Sequence, residues 1–141
     1  MPIDYSKYPP NWKTEIRPRI LARANNRCER CGAVNYSVGY MKDGKFWTFA
    51  KPPYSHPGKI SEYKAAREMI DHLNNWCNME EKYIVIVLTI AHLDHDEENH
   101  EVSDYRLQAL CQRCHLKYDA KEKARRKKHK QLKNQLHLWQ Q

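Results

Sequence analysis

Residues 87–119 read VLTIAHLDHDEENHEVSDYRLQALCQRCHLKYD. An apolar run rich in β-formers delivers His92, Asp94 and His95 at its end. An acidic loop follows, and then a second short apolar run leads into Cys111, Cys114 and His115, which opens a long helical pattern. Core packing does not need histidines, carboxylates and thiols at this density. Their chemistry is that of metal ligation and of proton transfer.

The cysteines divide this chemistry in two. Cys28-Glu29-Arg30-Cys31-Gly32 lies upstream, so Cys-x-x-Cys occurs twice among five cysteines. Two such pairs supply the four thiolates of a closed tetrahedral Zn²⁺ site, in which no position stays open for a substrate. Cys28, Cys31, Cys111 and Cys114 are therefore expected to hold a structural zinc. Gly32 is suited to the positive φ that a metal knuckle needs. Cys77 is left over at the end of an apolar stripe and reads as a small buried hydrophobe. His92, Asp94, His95, His115 and Asp119 remain for a second site.

Working outward, Lys82–Ala91 (KYIVIVLTIA) is almost unbroken in its apolarity, which predicts one central strand buried on both faces. Ser61 caps a predicted helix to Trp76 whose stripe is Tyr63, Ala66, Ile70, Leu73 and Cys77. Residues 50–60 hold three prolines and a glycine and form a loop, in which His56 reads as solvated. Val34–Phe49 alternates around Asp43-Gly44, a hairpin signal. Pro18 opens a small helix that ends at Asn25-Asn26. Residues 1–12 carry three prolines and the aromatics Tyr5, Tyr8 and Trp12, and are expected as an extended arm over the core, since proline there rules out a regular helix. Downstream, one helix of roughly 40 Å is predicted from Gln112 to about Trp139. Leu132, Leu136 and Trp139 form an apolar stripe near its end that suits a homodimer contact.

Of 141 residues, 40 % are apolar and 30 % charged, a polar but globular balance for one chain with a modest core. No stretch approaches the roughly 18 apolar residues of a membrane helix. The start, MPIDYSKYPPNWK, lacks a basic-then-apolar leader pattern, so a cytoplasmic protein is expected. The net charge of +8 is concentrated: residues 121–133 hold eight Lys or Arg against one Glu. Lys121, Lys123, Arg125, Arg126, Lys127, Lys128 and Lys130 thus form a footprint for a polyanion.

LTIAHLDHD, a loop, and LQALCQRCHLKYD together resemble the HNH endonuclease family, and YPPNWKTEIRPRILARANNRCERCG resembles the start of its phage and bacterial members. The resemblance implies an α+β fold with a ββα-metal core, a treble-clef-like zinc site and flanking helices, ending here in the long basic helix. It divides the chain into an arm and helix (1–27), a zinc-bound core (28–120) carrying an inserted hairpin and helix (34–80), and a basic extension (121–141). It implies hydrolysis of double-stranded DNA, with His92 as general base and a catalytic Mg²⁺, Mn²⁺ or Ni²⁺ held by His115, Asp119 and Asp94. A second register makes Asp94-His95 the motif pair, with His95 as base. Two positions depart from the pattern. Ala91 stands where many members carry a metal-binding Asp or His, and Arg106 stands where an Asn braces the loop and orients the base. Asn99 in the loop reads as a turn former. With Arg106 in that place, the alternative is a weakened module that binds nucleic acid or a protein without cleaving.

Overall fold

Trp12, Ile16 and Ile20 recur every four residues, and all three are buried. Their spacing turns one face of a helix to the interior. Trp12–Ile16 makes a π-helical turn, closed by the Ile16 N–H donating to the Asn11 carbonyl at 3.2 Å. It continues as α1 (Arg17–Arg23), with Pro18 in the first turn. Asn25 and Asn26 then take φ of 50° and 51°, a left-handed stop that Asn tolerates. The structure is a computed structural model that describes residues 5–55, 60–77, 80–96 and 98–138, the side chains of 5 and 136–138 excepted. His56 and Trp139 lie outside the described residues.

Asp43 and Gly44 adopt φ of 50° and 71°, which closes a two-residue turn between β1 (Val38–Lys42) and β2 (Lys45–Ala50). With β3 (Tyr83–Val85) they form an antiparallel sheet of order β2-β1-β3. Helix α2 (Glu62–Asn75) starts at Ser61, whose Oγ accepts the Lys64 N–H at 3.3 Å. It buries Ala66, Ile70 and Leu73 against Val38, Tyr83 and Val85, with Cys77 half-buried at the edge of this cluster. Tyr63, expected on the same stripe, is 43 % exposed and leans on Tyr36 instead.

The expected central strand over 82–91 is two strands in two sheets. β3 lies at an edge of the first sheet, and among the described residues β4 (Leu88–His92) pairs only with β5 (Leu107–Cys111). Between them, Ile86 still exchanges hydrogen bonds with Tyr36 and Ser37, at 2.7 and 2.8 Å. The Gln112 side chain then bridges the break, donating to the Val85 carbonyl and accepting the Val87 N–H. One side-chain amide thus satisfies the backbone where the chain leaves one sheet for the other.

β4 and β5 are antiparallel, with Ile90 opposite Ala109 and His92 opposite Leu107. A two-stranded ribbon has two open edges, and here side chains bond backbone groups on each. Asn35 and Arg17 side chains bond the Leu88 N–H and carbonyl on one edge. On the other, Glu29 binds Ala109 twice, through its own N–H and through its carboxylate, and Arg23 donates to the Leu107 carbonyl. α3 (Gln112–Leu138) leaves β5 without a linker. Leu88, Ile90, Leu107, Ala109 and Leu110 join Trp12, Ile16, Ile20 and Cys28 in a second core. The architecture is mixed α+β with a long C-terminal helix, and no helix among the described residues is long and apolar enough to cross a membrane.

Candidate metal centre and histidine cleft

The four cysteines expected to act together do converge. Cys28 and Cys31 come from the knuckle docked on β5, Cys111 ends that strand, and Cys114 lies one turn into α3. Their sulfurs all lie within 4.8 Å of one another, and those of Cys31 and Cys111 are 3.7 Å apart. A tetrahedral zinc with bonds of about 2.3 Å spaces its sulfurs about 3.8 Å apart, so these residues can hold a structural metal ion such as zinc. The knuckle is shaped for this: the Gly32 N–H donates to the Cys28 carbonyl at 2.8 Å, and Gly32 takes a φ of 74°. Burial opposes ionisation of Cys28, but backbone N–H groups of Cys111, Cys31 and Arg30 outweigh it and bring the thiol down to about 7. Burial raises Cys31 and Cys114, where neighbouring sulfurs add to the penalty. Four thiols crowded this closely repel one another as thiolates, a repulsion that a divalent cation relieves.

The second group forms a cleft of ≈ 260 Å³ between the end of β4, the loop after it and α3, bordered by His92, His95, His115 and Asp119. Asp119 sits at its centre. Its Oδ1 is 3.4 Å from His95 Nδ1 and its Oδ2 is 3.5 Å from His115 Nε2. His115 is held from behind by Thr89, whose Oγ1 lies 2.7 Å from Nδ1, so the ring presents Nε2 to the cleft. His95 takes a φ of 56° and stacks on Tyr118 at 4.7 Å. Among the described residues only the four sulfurs form a group of three or more ligand atoms all mutually within 4.8 Å. The histidine set is looser, joined pairwise through the Asp119 carboxylate, and its nitrogen and oxygen donors suit a borderline or hard divalent ion.

His92 is 8 % exposed and lies flat on Trp12, with ring centroids 5.2 Å apart at 14°. Tyr8 tilts against both rings. Of the N-terminal aromatics expected over the core, Trp12 is buried in it, and Trp12 and Tyr8 both contact this histidine, a pairing across about eighty positions that no local pattern announces. Asp94 is not brought into the cleft. β4 ends at His92, so Asp94 does not continue the strand face, and Arg106 holds its carboxylate at 2.6 Å. Burial raises the Asp94 carboxyl, but the Asp96 N–H and the Arg106 guanidinium outweigh that and keep it below its usual range. Arg106 also donates to the Glu101 carbonyl at 2.5 Å and the Asp96 carbonyl at 3.3 Å, so it braces the 93–101 loop and does not border the cleft. Asn99 is a turn former, as expected, accepting the Glu101 N–H at 3.0 Å.

Of the seven basic residues expected to meet nucleic acid, Lys123 and Arg126 border this cleft, and Lys127, Lys128 and Lys130 lie exposed further along α3. Glu122 borders it too, unanticipated. Asp119, Glu122, Lys123 and Arg126 recur at helical spacing, a signal that was available in the sequence. Arg125 first and then Arg126 bind Glu122, lowering its carboxyl to about 2. Leu132, the described side chain of the expected dimer stripe, is 49 % exposed. Comparison with protein-family models, curated proteins and solved structures gives no match.

Proposed function

We propose that the chain is a metal-dependent endonuclease of HNH type that hydrolyses DNA phosphodiester bonds, with β4, β5 and α3 as its ββα-metal core. The observation that supports this most is the cleft: two histidines flank Asp119, a third histidine lines the same wall, and basic α3 side chains edge it. His92, which borders the cleft and is stacked on Trp12, is the general base that takes a proton from water. A divalent ion, when bound by His115, Asp119 and His95, supplies charge stabilisation at the phosphorane and at the leaving oxygen. His95 here takes the place that the resemblance assigns to Asp94, because Asp94 is engaged by Arg106. Lys123 and Arg126, at the edge of the same cleft, hold the scissile phosphate beside the ion-binding residues.

Arg106 is the residue on which this reading and that of a binding module diverge. By bracing the loop it performs, with a longer side chain, one of the two services that the resemblance assigns to Asn, which supports a cleft that keeps its shape. Plasmid nicking by the zinc-loaded chain, with Mg²⁺, Mn²⁺ or Ni²⁺ added in turn, tests this. Nicking by the natural chain is expected with at least one of the ions. Nicking that emerges only in Arg106→Asn would favour the weakened binding module.

A further inference from the structure

Beside the histidine cleft lies a second pocket of ≈ 340 Å³, between the tip of the cysteine knuckle and α3. Arg30 enters it from the knuckle, and Lys117, Lys121 and Arg125 from α3. Among the described residues Glu122 is the one carboxylate that borders it, and it is already bound by Arg125 and Arg126. Among the described residues Arg30, Lys117 and Lys121 form no ion pair. Three unneutralised cations facing one concavity repel one another unless an anion enters.

The pocket is also built. The Arg30 guanidinium rests on the Tyr118 ring, 4.9 Å from its centroid. That ring in turn stacks with His95, and its hydroxyl donates to the Leu93 carbonyl. Arg30 lies between Cys28 and Cys31, so the metal site that fixes the knuckle fixes this cation. His95 and Glu122 border both the cleft and this pocket, so the two spaces meet at His95. A ligand that fills both carries repeated negative charge on one chain, which describes a nucleic-acid backbone and not a single free phosphate.

We propose that the pocket formed by Arg30, Lys117, Lys121 and Arg125 is a second phosphate subsite, which receives the phosphodiester next to the one held over Asp119. The subsite rests on the nuclease reading for its register, since it sets where the strand lies when His92 faces the scissile bond. It also makes the structural zinc part of substrate binding.

The test is duplex binding by the zinc-loaded full chain, followed by anisotropy of a labelled DNA duplex across a salt series without added divalent ion. Arg30→Ala/Lys121→Ala and Lys117→Ala/Lys121→Ala are compared with Lys127→Ala/Lys128→Ala, which removes the same charge from α3 away from the pocket. Zinc content and circular dichroism verify that each variant folds, and the second pocket pair leaves the knuckle untouched. Both pocket pairs are expected to weaken binding about tenfold more than the control pair and to lower the salt slope by about 1 for each phosphate that is no longer neutralised. Equal losses in all three pairs would mean that only net charge matters and would overturn the subsite. The nuclease reading fails separately: a chain that binds through the pocket but never nicks keeps the subsite, and one that nicks with pocket variants binding as the control does keeps the reading and loses the subsite.

Discussion

Arg106 ties one loop together from both ends of the residue. Its guanidinium donates to the Asp94 carboxylate and to the Glu101 and Asp96 carbonyls, while its own carbonyl accepts the Leu93 N–H. A planar fork can serve several acceptors at once, whereas a lysine ammonium on a flexible stem cannot hold the same directions. Arg106→Ala, and to nearly the same degree Arg106→Lys, is therefore expected to raise amide exchange over residues 93–101 with zinc retained. Unchanged exchange would remove Arg106 from the bracing role. The same contact sets a pH dependence. The Asp94 carboxyl is lowered from 3.8 in the fold, so its contribution is complete above that value and is lost as pH falls through the lower folded value. Titration of Asp94 by NMR should show its pKa rise in Arg106→Ala. The sequence marked Arg106 only as a departure from a pattern; its actual partners depend on how the loop folds back, which residue identity alone does not carry.

At the scale of elements, β4 and β5 stand as an isolated pair because side chains cover their edges. Glu29 is the clearest case, accepting the Ala109 N–H at 2.6 Å while also pairing with Arg23. Ala109 is fully buried, so Glu29→Ala strands a backbone donor away from water. A loss of about 1–3 kcal/mol is expected in urea unfolding of the zinc-loaded chain, and a much smaller one for Glu29→Gln, which keeps an acceptor. Equal stability in all three would mean that the contact is incidental. The hairpin at Asp43-Gly44, the Ser61-capped helix and α3 were legible, because turn chemistry and helical spacing are local. The break at Ile86-Val87 was not: β-branched residues are equally at home in either sheet, and the Gln112 bridge that completes the break lies 25 positions away. The cysteine set was legible because the pair spacing is itself metal chemistry, whereas Trp12 against His92 is a tertiary contact without a local signature.

In the whole molecule, the cysteine centre ties the chain's first helix and knuckle to the strand and helix that carry the cleft. Structural zinc in comparable sites binds with about 10–16 kcal/mol, as much as the whole stability of an ordinary domain. Removing the metal with a chelator should therefore abolish the cooperative thermal transition in calorimetry; an unchanged transition with the metal shown to be gone would deny the centre its structural role. The cleft makes the stronger claim, that three histidines and Asp119 perform metal-dependent hydrolysis. Its most direct test is single-turnover nicking of supercoiled plasmid by the natural chain and by His92→Ala, with zinc content and fold verified in both. A loss of at least about 10²-fold is expected in His92→Ala with metal binding intact, the scale of a missing general base. Full metal-dependent cleavage by the folded His92→Ala chain would contradict it.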